Sequence, residues 1–218
     1  MDRTMTPIVF DLDGTLIDSA PDIHATANRV LALEGLPPLS FEQVRGFIGN
    51  GVSVLISRIL IAQDLPGEGA QHKRMAEVFT EQYEGAVTLT TLYPNVAETL
   101  ALFRRQGRRL GLCTNKPLAP TRAVLAHFGL DGTFEAIVGG DSLATRKPDP
   151  APLRHVTQAL GGTAIYVGDS EVDAETAARA GLPLALFTEG YRKTPVHELY
   201  HSVTFGDFAE LPGLIARL

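Results

Sequence analysis

Ile8-Val9-Phe10-Asp11-Leu12-Asp13-Gly14-Thr15 is the stretch that decides the fold. Three apolar residues run into carboxylates and a glycine turn. Strands covered on both faces show continuous apolar runs rather than alternation, so this reads as a short buried strand that stops at a polar edge. Three further segments repeat the pattern: Leu110-Gly111-Leu112-Cys113 stops at Thr114, Ala136-Ile137-Val138 at Gly139-Gly140-Asp141, and Ala164-Ile165-Tyr166-Val167 at Gly168-Asp169. Between them, Val96/Leu100/Phe103, Val124/Leu125/Phe128 and Leu153/Val156/Leu160 have helical spacing, and Gly107, Gly129 and Gly161 are placed to end those helices. Strand and helix in alternation predict an α/β fold, a doubly wound parallel (Rossmann-like) sheet. The stripe Phe208/Leu211/Leu214/Ile215/Leu218 closes this core.

One crossover is far too long. Residues 14 to 109 separate the first two strands, where a helix of about a dozen residues would serve. Ala25/Val30/Leu33, Val52/Leu55/Ile56/Ile59/Leu60 and Met75/Val78/Phe79/Gln82 carry helical stripes, Ser40-Phe41-Glu42-Gln43 has the pattern of a capping box, and Pro66-Gly67-Glu68-Gly69 breaks two helices. The expected organisation is a core of residues 1–17 and 87–218 with an inserted all-helical cap domain over 18–86. Hinges are expected near Leu16 to Ser19 and Thr88 to Leu92.

Composition narrows the function. The 218 residues are 44% apolar and 20% charged, as in a folded globular chain, with no internal repeat. No run approaches the ~18 to 20 apolar residues of a membrane span. The N-terminal residues lack a signal-peptide pattern, and the single Cys113, read as a buried small hydrophobe, can form no internal disulfide, so the cytoplasm is expected. Nineteen Lys and Arg against 25 Asp and Glu, a net charge of −6 without a basic run, disfavour nucleic acid as a partner. A monomer or homodimer is expected.

Ligands of open α/β sheets gather at the carboxyl ends of the strands, so the residues that stop the apolar runs should share one crevice. They are Asp11 and Asp13, Thr114 and Asn115, Lys147, and Asp169 and Asp173. Residues i and i+2 of a strand end project together, which puts Asp11 beside Asp13. Like charges ~4 Å apart cost about 4 kcal/mol at an effective dielectric of 20, so such a cluster needs a cation or a shared proton. With Asp169 it offers three hard oxygen donors, suited to Mg²⁺. Four carboxylates against Mg²⁺ and Lys147 leave one net negative charge, so a phosphate dianion becomes tolerable. Phosphoryl transfer needs mainly positioning and charge compensation, for which Lys147, the Thr114 hydroxyl and backbone N–H groups are available. Asp11 is the candidate nucleophile, and Asp13 the candidate acid and base.

Asp11-Leu12-Asp13-Gly14-Thr15, Thr114-Asn115, Lys147-Pro148 and Gly168-Asp169-Ser170-Glu171-Val172-Asp173 resemble the four ordered motifs of the haloacid dehalogenase superfamily. The resemblance extends over nearly the whole chain, helical cap included. It implies a phosphatase forming a phospho-aspartate at Asp11, with Mg²⁺ held by Asp11, the Asp13 backbone carbonyl and Asp169. Thr114, Asn115 and Lys147 would bind the phosphoryl group, while Asp173, with Ser170 beside it, would orient Lys147 or a metal-bound water. Asp13 argues against a dehalogenase, and Thr15 favours phosphatases over sugar phosphomutases of the β-phosphoglucomutase type, which stay the alternative. Val44-Arg45-Gly46-Phe47-Ile48-Gly49-Asn50-Gly51-Val52 and Pro37-Pro38-Leu39 are similar to the specificity region of phosphoglycolate phosphatases, implying a small phosphorylated substrate, 2-phosphoglycolate. Arg45, Gly49 and Asn50 are the cap residues expected to recognise it, with the Arg45 fork suited to a carboxylate.

Plainer readings compete. Asp11 and Asp13 fit a loop turn, Lys147 a solvated lysine, Thr114-Asn115 an N-cap for the helix after Pro117, Asp169 and Asp173 a helix N-terminus, and Gly46 to Gly51 a tight link between cap helices. His197-Glu198-Leu199-Tyr200-His201 fits H-E-x-x-H, the pattern of a zinc peptidase, but only about two helical turns fit between Pro195 and the strand-like Ser202-Val203-Thr204-Phe205. A receiver module that stores a phosphoryl group on aspartate would use similar residues. The inserted cap speaks against it, because a lid that excludes water suits turnover.

Overall fold

The computed structural model describes residues 5–218. In chain order the elements are β1 (Ile8–Phe10), β2 (Ile17–Asp18), α1 (Ala20–Leu33), α2 (Phe41–Arg45), α3 (Val52–Ala62), α4 (Ala70–Tyr83), β3 (Thr91–Leu92) and α5 (Val96–Arg105). They continue with β4 (Leu110–Cys113), α6 (Leu118–His127), β5 (Ala136–Val138), α7 (Ala151–Ala159), β6 (Ile165–Gly168), α8 (Glu171–Ala180), β7 (Leu184–Phe187), β8 (Val203–Phe205) and α9 (Leu211–Ile215). Six strands form one parallel sheet in the order β5-β4-β1-β6-β7-β8.

β1 lies inside the sheet, which explains its unbroken apolar run. Ile8 and Phe10 belong to the apolar cluster on one face with Phe103, Phe187 and Phe208, while Val9 belongs to the opposite cluster with Tyr166 and Leu184. Its register sets Phe10 against Leu112 of β4 and Val167 of β6. Asp11 therefore emerges level with the ends of both neighbours, and Thr114 and Asp169 follow within a residue or two. This register, rather than any local motif, brings together groups more than 150 residues apart in sequence.

Helices α1 to α4 pack on their own apolar cluster, which includes Leu31, Ile56, Ile59 and Phe79. The chain leaves and re-enters the sheet domain through the antiparallel pair β2 and β3, with Ile17 opposite Leu92 and Asp18 opposite Thr91. The capping box at Ser40 forms as its spacing predicts: Gln43 N–H donates to the Ser40 hydroxyl, and the Gln43 side chain accepts from Ser40 N–H.

One expectation needs correction. The buried face of α1 is Ile23/Ala27/Val30/Leu31, not Ala25/Val30/Leu33, and Leu33 is exposed. Buried polar Asp22 and Thr26 interrupt the apolar stripe and obscure its phase; Asp22 accepts from the backbone N–H groups of Leu89 and Thr90 at 3.0 and 2.7 Å, tying α1 to the returning chain. Leu184–Phe187, not among the strands read from sequence, is the buried strand β7. The H-E-x-x-H segment is one 3₁₀ turn, Val196–Glu198, with Leu199 already extended, so His197 and His201 do not share a helical face. Among the described residues, no helix is long and apolar enough to cross a membrane.

Candidate active site

Asp11 and Asp13 leave the end of β1 on either side of Leu12, and both border a cavity roofed by Ile23, Ile48, Leu55 and Phe79 of the cap. Gly14 makes the turn at φ +86°, a conformation that favours glycine. A Cβ there would come within 2.6 Å of Asp169 Oδ2, so its absence also makes room for that carboxylate. Thr15 then donates from its hydroxyl to Asp169 Oδ1 at 2.8 Å.

Lys147 is the buried cation of the cluster. Its Nζ lies 2.7 Å from Asp173 Oδ1, 3.0 Å from the Tyr166 hydroxyl and 2.8 Å from Asp11 Oδ1. The last contact is an ion pair without hydrogen-bond alignment, and it leaves Asp11 Oδ1 buried without a directed donor. Burial opposes the charge on Lys147, yet Asp11 and Asp173 outweigh it and hold the ammonium above the usual lysine range.

Asp173 is saturated. One oxygen takes Lys147 and Tyr166, and the other takes the Ser170 hydroxyl at 2.6 Å together with the backbone N–H groups of Asp169 and Ser170. Ser170 and Asp173 also form the capping box that starts α8, as the helix-terminus reading expects. Burial works against the Asp173 charge, but Lys147 and these donors keep its carboxyl below the ordinary range. Asp11 and Asp169 have fewer partners, Lys147 beside the one and Thr15 and Tyr191 on the other. Burial pushes the Asp11 carboxyl up to about 7, with Asp173 adding and Lys147 opposing. Burial, Asp173 and Asp11 push Asp169 well above the carboxylate range.

Oxygens of Asp11, Asp169 and Asp173 lie within 4.8 Å of one another. Three buried carboxylates share one ammonium here, and the raised carboxyls of Asp11 and Asp169 are what a divalent cation would relieve, so the donor set fits one. Asp173 has its lone pairs engaged, whereas the Asp169 oxygens accept only from Thr15 and, at 2.6 Å, from Tyr191 N–H. Asp11 and Asp169 are therefore the side chains with lone pairs left for such an ion.

Asp13 Oδ1 accepts from the Ser19 hydroxyl at 2.6 Å and from Lys116 Nζ at 3.1 Å. Thr114 and Lys116 stand on the cavity wall. Thr114 does not cap α6: its hydroxyl accepts from Lys116 N–H, and Asp141 takes the first helical N–H instead. Asn115, expected at the phosphate, donates both amide hydrogens to backbone carbonyls, to Lys147 at 2.9 Å and to Gly49 of the cap at 3.0 Å. Gly49 borders the cavity, while Asn50 faces an adjoining one and accepts from Arg58 at 3.0 Å. Arg45 lines neither. Its guanidinium donates to Gly190 carbonyl at 2.9 Å and covers the Tyr191 ring, joining cap to core. Cys113 is buried with its thiol pushed up to about 12 by burial, as suits a packing residue.

Lys116, Tyr83 and Tyr191 were not singled out from sequence. Lys116 directly follows the Thr114-Asn115 pair, a signal that was available. Tyr191 had none: its hydroxyl accepts from Ser19 and Ala20 N–H at 2.8 and 3.0 Å and donates to Asp18 at 2.7 Å, contacts that cross the whole chain.

The sequence model of the haloacid dehalogenase-like hydrolases matches residues 8–187. The chain belongs to that family. This haloacid dehalogenase-like hydrolase is 53% identical over 216 residues to a phosphoglycolate phosphatase of Cereibacter sphaeroides (strain ATCC 17025), covering 98% of this chain and 99% of the relative. In structure it is similar to a predicted phosphoglycolate phosphatase of Haemophilus somnus, with TM-score 0.90, 33% identity and coverage of 98% and 99% of the two chains. It is also similar to CbbY of Rhodobacter sphaeroides in complex with phosphate, with TM-score 0.83, 25% identity and coverage of 95% and 96%.

Proposed function

We propose that this hydrolase cleaves a small phosphate monoester, 2-phosphoglycolate, to glycolate and phosphate through a phospho-aspartate at Asp11. The observation that carries the reading is the juxtaposition of two carboxylates on one cavity, Asp11 beside Lys147 and Asp13 held by Ser19 and Lys116. The 53% identical relative named a phosphoglycolate phosphatase supports the choice of substrate.

An Asp11 oxygen attacks phosphorus as the ester P–O bond breaks, and protonated Asp13 delivers its proton to the departing alkoxide. Asp13, now ionised, takes a proton from water as that water attacks phosphorus and the phospho-Asp11 bond breaks, which releases phosphate and restores both residues. Lys147 and the Thr114 hydroxyl border the phosphoryl oxygens and compensate charge that accumulates there. Asn115 fixes the Lys147 loop and the cap loop at Gly49 to each other. Mg²⁺, held by Asp11 and Asp169 together with the Asp13 backbone carbonyl, would supply charge neutralisation toward the phosphate dianion.

The cap over 18–86 turns on the β2–β3 pair, and its apolar roof excludes bulk water during turnover. Every residue in this scheme comes from one chain, so a monomer or a homodimer serves equally, and the cytoplasm is the expected compartment. The test is phosphate release from a panel of phosphate monoesters with Mg²⁺ or with EDTA, wild type beside Asp11→Asn. Mg²⁺-dependent release that favours 2-phosphoglycolate and vanishes in Asp11→Asn is expected. Unchanged turnover in the variant would remove the nucleophile assignment, and isomerised sugar phosphate in place of free phosphate would favour a phosphomutase.

A further inference from the structure

Lys116 is a second buried lysine that the scheme above uses only to hold Asp13. Its residue is 6% exposed; its Nζ lies 3.1 Å from Asp13 Oδ1, donates to the hydroxyl of Tyr83 on cap helix α4, and sits 4.0 Å from the centre of that ring. A buried ammonium needs anionic company, and among the described residues Asp13 is the sole carboxylate within ion-pair distance. Lys147 stands differently, between Asp11 and Asp173.

The rest of the cavity sharpens the contrast. Its cap wall is apolar apart from Tyr83, built from Ile23, Ile48, Leu55 and Phe79, and Lys116 is the cation on its lining. Arg58 faces the adjoining cavity but is committed to the Phe47 carbonyl and Asn50. Arg45, the sequence's candidate for a carboxylate, is committed to Gly190 and Tyr191. In 2-phosphoglycolate one methylene separates the ester oxygen from the carboxylate. With the ester oxygen at Asp13, the carboxylate is carried one step beyond it, where the ammonium next to Asp13 stands.

We propose that Lys116, together with the Tyr83 hydroxyl, binds the carboxylate of the substrate and is the residue that selects a carboxylated phosphate ester. The inference rests on the 2-phosphoglycolate reading. Tyr83 accepts from the ammonium and so keeps its own hydrogen to donate to a carboxylate oxygen. Because Tyr83 belongs to the cap and Lys116 to the core, the carboxylate ties the two together when it binds.

The experiment compares kcat/KM for 2-phosphoglycolate and for 2-hydroxyethyl phosphate, which carries a hydroxymethyl group in place of the carboxylate. It uses the Mg²⁺-supplied full chain as wild type, Lys116→Met, Lys116→Arg, Tyr83→Phe and Arg58→Met. Wild type is expected to prefer the carboxylated ester. Lys116→Met lowers that preference roughly 10- to 100-fold, the worth of one charged hydrogen bond; Lys116→Arg restores part of it, and Tyr83→Phe lowers it several-fold. A preference in Lys116→Met within about twofold of wild type, with both substrates slowed alike, overturns the proposal. So does a preference that collapses in Arg58→Met and survives in Lys116→Met. A wild type without preference overturns the substrate reading itself, and the proposal falls with it. If Lys116→Met does not fold, Lys116→Gln and Tyr83→Phe make the same comparison.

Discussion

Replacing Lys147 by methionine, close in length and uncharged, isolates the charge balance of the site. The lysine is 3% exposed and its Nζ lies within 3.0 Å of Asp173, Asp11 and Tyr166. Removing one partner of a buried pair costs about 3 to 5 kcal/mol, because the abandoned carboxylate stays in a poorly solvating interior. Asp173 is cushioned by Ser170, Tyr166 and two backbone donors. Asp11 is not. Its carboxyl already stands at about 7, and without Lys147 it rises further. A raised carboxyl does not penalise folding below its ordinary unfolded value, near 4. From there the penalty grows with pH until the folded value is passed. In wild type that growth ends near 7, whereas in the variant it continues, so the deficit is larger at pH 8 than at pH 5.5.

At roughly 2 to 4 °C per kcal/mol for a chain of this size, the expected loss at pH 8 is about 6 to 20 °C in Tm. The assay is thermal and urea melting of both proteins in EDTA, followed by circular dichroism at the two pH values. A fall of less than about 2 °C at pH 8, or a deficit that shrinks as pH rises, refutes the reasoning. Adding Asp173→Asn to Lys147→Met should cost less than the sum of the single changes by about 0.5 to 3 kcal/mol.

Asp13→Asn should lower turnover of alkyl phosphates about 10²- to 10⁴-fold and lose less on p-nitrophenyl phosphate, whose leaving group needs no proton; equal losses on both would deny the acid role. Mg²⁺ should raise Tm more at pH 8 than at pH 5.5, since it binds the ionised forms of Asp11 and Asp169, whose carboxyls are raised; the reverse order would contradict their place at the ion. Gly14→Ala should destabilise by about 2 kcal/mol or more and weaken the response to Mg²⁺, because φ is +86° there and the new Cβ meets Asp169; a variant as stable as wild type would show that the turn relaxes freely.

The strand ends were legible because β1, β4 and β6 are covered on both faces, so each apolar run breaks where the chain reaches the crevice, at Asp11, Thr114 and Asp169. The spacing of Ser40 and Gln43, or Ser170 and Asp173, is a local geometry that sequence states directly. What sequence hid is tertiary direction. Arg45 suits a carboxylate by chemistry, yet it turns toward Gly190, and only the packing of the cap on that loop determines this. Asn115 lies in a matched motif but its amide is engaged by Gly49, 66 residues away. Tyr83 resembles the last core residue of a helical stripe, and its hydroxyl gains meaning only opposite Lys116. The buried Asp22 shifted the apparent face of α1 for the same reason: its partners, Leu89 and Thr90, lie outside the helix.

Trapping of the covalent intermediate tests the central claim most directly. The protein is quenched during turnover of 2-phosphoglycolate with Mg²⁺ and treated with borohydride, which reduces an acyl phosphate to an alcohol, and the peptides are then read by mass spectrometry. Homoserine at position 11, absent without substrate and absent in Asp11→Asn, is the predicted result. An unmodified Asp11 under conditions that trap a modified Asp13 or Asp169 would contradict it.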